Sequence, residues 1–206
     1  MNTSKRTLFL TMVLVAVTVL SACSPKQVDA SSSAAEASLS ASAGDATSSA
    51  AEESVPSLSA FTSTDLEGNE VTQEIFADYD LTMINIWATF CGPCLSEMPE
   101  LGELAAEYKD KNVQIVGIVM DVLKQDGTIS EEMVDTAKEV VAKTGAAYTH
   151  LLPSNDLIQA KLKDVTGVPE TIFVDKSGNI VGKSYLGAKQ KADWAKIIDK
   201  TLEDVK

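Results

Sequence analysis

The 206-residue chain contains a single arginine, Arg6, and a single histidine, His150. It has 30 acidic and 17 basic residues, which gives a formal net charge of −13 at pH 7. Lysine and arginine contacts with phosphates supply most of the affinity of nucleic-acid-binding proteins, and they also attract proteins to anionic membranes. The composition therefore predicts neither nucleic-acid binding nor electrostatic attachment to a membrane.

The apolar run Leu8–Leu20 has thirteen residues, fewer than the roughly 20 that a membrane-spanning helix needs. Because it follows Lys5 and Arg6, it is typical of the hydrophobic region of a signal peptide. The run ends in Leu20-Ser21-Ala22-Cys23, which resembles a bacterial lipobox. That resemblance implies cleavage before Cys23 and lipidation of its thiol. We therefore expect a lipid anchor in the cell membrane, with the protein on the extracytoplasmic face; the alternative is an uncleaved signal anchor.

Residues 24–57 contain no aromatic residue and are rich in serine and alanine. Such a segment buries too little apolar surface to offset the entropy of ordering it, so we expect a flexible tether. The predicted organisation is a lipoprotein signal peptide over residues 1–22, the lipidated cysteine and a disordered tether over 23–57, and one folded domain over 58–206.

Cysteine is scarce, and lipidation of Cys23 would leave Cys91 and Cys94 as a pair. The Cys91-Gly92-Pro93-Cys94 sequence follows an apolar run and opens a helical pattern. A helix N-terminus favours a thiolate, so Cys91 is the candidate nucleophile. Cys94, one turn later, is placed to resolve a mixed disulfide. Pro93 suits the first helical turn, where no backbone N–H is needed.

Two other interpretations of this pair are weaker. A zinc site normally needs four ligands, but the chain has no second cysteine pair and only His150 as an imidazole ligand. A purely structural disulfide would close so small a loop that it would constrain the unfolded chain little. The pattern therefore favours a redox pair.

Apolar periodicity predicts alternating strands and helices in the folded domain. We predict strands over residues 81–88, 113–120, 147–152, 171–174 and 180–184, and helices over 93–109, 131–143, 155–163 and 191–205. This order indicates an α/β fold with a central mixed β-sheet.

Residues 87–94 (WATFCGPC) resemble the thioredoxin active site, and with the continuation to Pro99 they resemble TlpA/ResA-like membrane-anchored thioredoxins. The resemblance covers residues 61–205. It implies a thioredoxin-like fold with helices flanking the sheet and a TlpA/ResA-type βα insertion between residues 113 and 152. It also implies a thiol-disulfide oxidoreductase with no cofactor beyond the redox-active cysteines.

The resemblance extends to further site residues. Val168-Pro169 matches the cis-proline step that faces the cysteines in this superfamily, and Glu170 replaces the threonine common at the next position. Asn85 stands where thioredoxin has a buried aspartate. Glu97 matches a glutamate of ResA-like proteins and is the candidate proton shuttle for Cys94. The residues expected to bind substrate are Trp87, Phe90, Gly92, Pro93, Val168, Pro169 and Glu170.

The resemblance further implies a monomeric reductant that receives electrons from a CcdA-like membrane thiol transporter. Its exported client would carry a disulfide or an oxidised thiol, with apocytochrome c and methionine sulfoxide reductase as the two candidates. One alternative is a peroxiredoxin-like peroxidase, which would need an arginine that residues 58–206 lack. The other is a non-catalytic binding lipoprotein.

Overall fold

The computed structural model of the protein describes residues 57–206. The predicted signal peptide, the lipidation site Cys23 and nearly all of the predicted tether lie outside these residues. Within the described range, no helix combines the length and the apolar character needed to cross a membrane.

The described residues form seven strands and four α-helices. In chain order they are β1 (Thr62–Thr64), β2 (Glu70–Thr72), β3 (Leu81–Trp87), α1 (Gly92–Tyr108), β4 (Val113–Val119), α2 (Glu131–Thr144), β5 (Thr149–Leu151), α3 (Asn155–Ala160), β6 (Glu170–Asp175), β7 (Ile180–Leu186) and α4 (Lys191–Asp204).

Five of the strands make one mixed sheet in the order β5-β4-β3-β6-β7. Strand β3 pairs in parallel with β4 and antiparallel with β6. Strand β4 pairs in parallel with β5, and α2 provides the crossover that a parallel pair requires. Strands β6 and β7 form a hairpin. The predicted mixed sheet, and the β–α–β connection within residues 113–152, are confirmed.

Strand β3 lies at the centre of the sheet, and all seven of its residues are buried. Because alternate side chains of a strand face opposite sides, Ile84 and Ile86 join α3 and the segment before β1 in one core cluster. Leu81 and Met83 pack on the other face, among side chains of α1 and α4. Burial on both faces explains why this strand is a nearly continuous apolar run.

The structure differs from the predicted elements in two places. Strands β1 and β2 form a separate two-stranded sheet that we did not predict, because strands of three residues carry too little periodicity to detect. The helix predicted over 155–163 is α3 followed by a 3₁₀ turn, Leu162–Asp164. The bounds of the other predicted elements differ from the observed ones by no more than two residues.

The chain enters the domain at the turn between β6 and β7. The backbone N–H of Leu58 donates to the carbonyl of Gly178, 2.7 Å away, and Ser57 bridges to Asn179. Gly178 has a φ of +80°, and a Cβ there would lie 2.8 Å from the backbone of Leu58. Glycine is therefore required at this contact for both conformation and space.

Candidate active site

The two cysteines of the Cys-Gly-Pro-Cys sequence form a disulfide at the start of α1, with their Cα atoms 5.3 Å apart. Cys91 is the N-cap of the helix, and its Sγ accepts a hydrogen bond from the backbone N–H of Cys94 at 3.2 Å. Helix N-termini leave such N–H groups without intrahelical partners. The sulfur that caps the helix is thus the one best placed to carry negative charge after reduction.

The two sulfurs differ in access. Cys91 is 6% exposed, and Cys94 is fully buried. Gly92 and Pro93, the two residues between them, are both exposed. A partner can therefore approach Cys91 but not Cys94 without rearrangement.

The loop before β6 lies against Cys91. The Val168–Pro169 peptide is cis, as the resemblance implied, and the carbonyl oxygen of Val168 is 3.6 Å from Cys91 Sγ. The carbonyl of Pro169 accepts a hydrogen bond from the N–H of Gly187 at 2.8 Å, which links this loop to the end of β7.

Two exposed apolar side chains lie near the contact between Cys91 and the cis-proline loop, and together they form an apolar surface. Phe90 and Leu186 are the only large hydrophobic side chains among residues 57–206 that are strongly exposed, at 78% and 62%. Phe90 immediately precedes Cys91, and Leu186 lies beside Gly167 in the cis-proline loop. Exposed apolar groups clustered at one place commonly mark an interaction site.

Glu97 lies one turn beyond Cys94 in α1 and is 3% exposed. Three groups donate to its carboxylate: the Asn85 side-chain amide to Oε1 at 3.0 Å, the Lys189 backbone N–H to Oε2 at 3.0 Å, and the Trp194 indole N–H to Oε2 at 3.2 Å. Burial raises the pKa of Glu97, and these donors oppose the rise because they stabilise the charged form. The group is thus disposed to accept a proton near the cysteines.

Asn85 contributes only half of its hydrogen-bonding capacity. Its amide nitrogen also donates to Thr171 Oγ1 at 3.2 Å, while its Oδ1 is buried with no hydrogen-bond partner among the described residues. If the amide rotates, this oxygen can accept a hydrogen bond from the protonated carboxyl group of Glu97.

Three of the residues predicted to bind substrate are buried: Trp87, Pro169 and Glu170. Trp87 is fully buried, and its indole N–H donates to His150 Nδ1 at 3.1 Å. Trp87 is therefore not exposed at the surface, and its contact with substrate stays a prediction. His150 is itself buried in β5 and accepts this hydrogen bond inside the domain.

Glu170 is 6% exposed, and its Oε1 lies 2.5 Å from Lys161 Nζ. The carboxylate is therefore paired with Lys161 inside the domain, and its contact with substrate stays a prediction. The sequence did not identify Lys161 as a partner, because the two residues are nine positions apart and the loop between them has no regular period.

The structure brings together Cys91, Cys94, Glu97, Phe90, Val168 and Pro169. It adds Trp194, Lys189 and Leu186, which the sequence did not single out for the site. No signal in a single sequence distinguishes such residues from ordinary core or loop positions. Among the described residues, no group of three or more His, Cys, Asp or Glu side chains is arranged to hold a metal ion.

Comparisons with known proteins agree with this site. The family model described as Redoxin matches residues 50–199. The chain is 45% identical over 58 residues to the thiol-disulfide oxidoreductase ResA of Oceanobacillus iheyensis, which covers 28% of this chain and 24% of that protein. It is 26% identical over 129 residues to ResA of Bacillus thuringiensis, covering 59% of this chain and 63% of that protein. The matches thus span less than two thirds of the length of these relatives.

The fold also has solved counterparts. A thioredoxin-family thiol:disulfide interchange protein from Chlorobium tepidum superposes with a TM-score of 0.57 at 24% identity, covering 69% of this chain and 93% of that one. At this identity the likeness shows the fold alone, which is thioredoxin-like as predicted. Since the Redoxin model matches most of the sequence, including both cysteines, the chain belongs to the Redoxin family and is a ResA-like member of it.

Proposed function

We propose that this protein is a thiol-disulfide oxidoreductase that acts through Cys91 and Cys94. The observation that carries the proposal is the asymmetry of the pair: Cys91 caps a helix, borders the surface and lies 3.6 Å from the Val168 carbonyl, while Cys94 is fully buried. This arrangement suits one cysteine that meets the partner and a second that acts only afterwards.

The proposed reaction is a two-step exchange. In the reduced protein, the Cys91 thiolate attacks a client disulfide, and a Cys91–client S–S bond forms as the client S–S bond breaks. Cys94 then gives its proton to Glu97, and its thiolate attacks Cys91 Sγ. The Cys91–Cys94 disulfide forms as the Cys91–client bond breaks, and the two client sulfurs, released as thiolates, take up protons. The client gains two electrons and the cysteine pair loses two.

We further propose that the protein is a reductant anchored by lipidated Cys23 on the extracytoplasmic face. A CcdA-like membrane thiol transporter would reduce the Cys91–Cys94 disulfide, and exported clients such as apocytochrome c or methionine sulfoxide reductase would oxidise it. The Gly-Pro pair between the cysteines supports this direction, because it is also found in the reducing thioredoxins. The apolar surface formed by Phe90 and Leu186 supports docking of an unfolded or extended client segment.

The activity is tested with insulin as the disulfide substrate and with single-cysteine variants. We expect the wild type to catalyse insulin reduction and Cys94→Ser to accumulate a mixed disulfide through Cys91. Cys91→Ser is the matched control and should form none. A Cys94→Ser variant that captures no insulin chain, while remaining folded, would contradict the proposal.

The direction of electron flow is tested by the reduction potential of the pair in a glutathione redox buffer. A reductant is expected near the thioredoxin value of about −270 mV. A potential near about −120 mV, as in strongly oxidising relatives, would reverse the direction while leaving the exchange activity intact.

A further inference from the structure

Trp194 lies on the apolar face of α4, and most of its side chain is in the core. It is fully buried in the cluster that joins α1, α4 and β3. Its ring packs edge-on against Tyr185, with centroids 5.8 Å apart. Its indole N–H, however, points to Glu97 Oε2 at 3.2 Å.

Glu97 Oε2 is held by two donors at the beginning of α4. The Lys189 N–H precedes the helix and Trp194 lies in its first turns. Helix α4 has no side-chain cap of its own at Gln190. The backbone N–H of Lys191 donates to Glu100, so a second carboxylate of α1 also satisfies this helix end. The positive end of the α4 dipole thus faces the carboxylates of α1.

A cavity of about 80 Å³ lies between α1 and residues 188–190. Its wall includes Glu97, Ser96, Glu100 and Lys189. A polar cavity of this size can hold water. The same carboxylate therefore lies between Cys94, three residues earlier on its helix face, and a place where a proton can pass to solvent.

We propose that Trp194 is a positioning residue, which holds Oε2 of Glu97 so that this carboxylate can take the proton of Cys94 and release it through the cavity at the start of α4. The inference rests on the proposed exchange reaction. Without the indole donor, Glu97 keeps its burial but loses a group that stabilises its charged form, so it should ionise less readily.

Other charged and titratable groups surround Glu97. On α1 these are Cys94 and Glu100, and before α4 there is Lys189, whose charge favours the ionised form. Burial raises the pKa of the Tyr148 hydroxyl, and the charge of Glu97 raises it further. Lys191 is bound to Glu103 and Glu107 instead. Lys189 Nζ also lies over the Trp194 ring, 5.4 Å from its centroid. Phenylalanine keeps an aromatic ring for this contact, so Trp194→Phe removes chiefly the indole N–H donor.

The experiment compares Trp194→Phe with Ile198→Val, which alters the same core cluster one turn further along α4 without a hydrogen bond to Glu97. The ionisation of Glu97 is followed by NMR of carboxyl-labelled glutamate in the oxidised full chain. Glu97→Gln identifies the signal. We expect Trp194→Phe to lower the ionisation constant of Glu97 roughly tenfold, and Ile198→Val to leave it unchanged.

A second readout is the pH profile of disulfide exchange with insulin. Trp194→Phe should move the profile to higher pH, and the shift should disappear in the Glu97→Gln background because the two residues act through one carboxylate. An unchanged Glu97 titration in a folded Trp194→Phe protein would overturn the inference. A wild type that fails to reduce insulin would instead overturn the proposed function, since the titration does not depend on activity.

Discussion

Two buried glutamates flank the cysteine pair, and the domain compensates them in different ways. Glu97 is held by three neutral N–H donors from β3, the loop before α4 and α4 itself. Glu170 is held by the ammonium group of Lys161. Neutral donors let a carboxyl group change its protonation state at modest cost, whereas a buried ion pair becomes very unfavourable when either charge is lost. The surroundings of Glu97 therefore permit a change of protonation, whereas Glu170 is fixed in an ion pair.

Breaking the Lys161–Glu170 ion pair should cause the largest loss of stability. Both side chains are buried, at 11% and 7% exposure, so Lys161→Met leaves an uncompensated charge and should cost about 3–5 kcal/mol of unfolding free energy. Urea unfolding at pH 7 measures this loss. The matched control is Lys143→Met, which breaks the exposed pair with Glu139 and should cost no more than about 0.5 kcal/mol.

The double variant Lys161→Met/Glu170→Leu keeps this prediction testable if the single variant does not fold. Replacing both charges by apolar groups should restore most of the stability, since a buried pair contributes little beyond its own desolvation cost. A loss below about 1 kcal/mol for Lys161→Met would mean that the pair behaves like a surface one.

His150 is a buried base with neutral partners, and it can be compared with the two buried glutamates. Burial lowers the pKa of His150 from 6.5 to about 4. Between these values the unfolded chain binds more protons than the folded one, so stability falls as the pH falls from 6.5 towards 4. A shift of this size corresponds to about 3 kcal/mol. Chemical unfolding of the wild type and His150→Gln at pH 7 and pH 4 should show that the variant lacks this loss.

The smallest change in stability is expected for Glu97. Its contribution to the free energy of unfolding changes with pH in the direction opposite to that of His150. Because burial raises the pKa of Glu97, the folded state binds more protons than the unfolded one just above pH 4.5. Its contribution to stability therefore falls as the pH rises through the raised pKa. Glu97→Gln removes this titration. The unfolding free energy of the variant, relative to that of the wild type, should therefore increase from pH 4 to pH 7. A relative worsening would indicate a lowered pKa instead.

The parts of the fold that could be predicted are those with a strong local pattern. The run over β3 is apolar at nearly every position because both faces of the strand are buried, and the helix after Cys91 shows its apolar face at regular spacing. The position of the cysteine pair follows from these two elements. The cis peptide at Pro169 was expected only because the neighbouring residues resemble a known family.

The contacts that define the site chemistry could not be predicted in the same way. The Trp194–Glu97 bond joins residues 97 positions apart, and the Trp87–His150 bond joins residues 63 positions apart. Each polar group lies in an otherwise apolar pattern, so periodicity places it in the core without indicating its partner. This is why the sequence did not reveal that Trp87 and Glu170 have buried hydrogen-bonding partners.

The hydrogen bond from Leu58 to Gly178 fixes where the chain enters the sheet relative to the disulfide. Strand β6 begins at Glu170, next to the cis-proline loop, and ends at Asp175, next to the turn that holds Leu58. Its six residues span about 20 Å. The chain therefore enters at one pole of the sheet while Cys91 is at the other. The reactive sulfur therefore lies at the end of the sheet farthest from residue 57, so a chain segment that precedes residue 57 starts away from the surface where a partner meets Cys91.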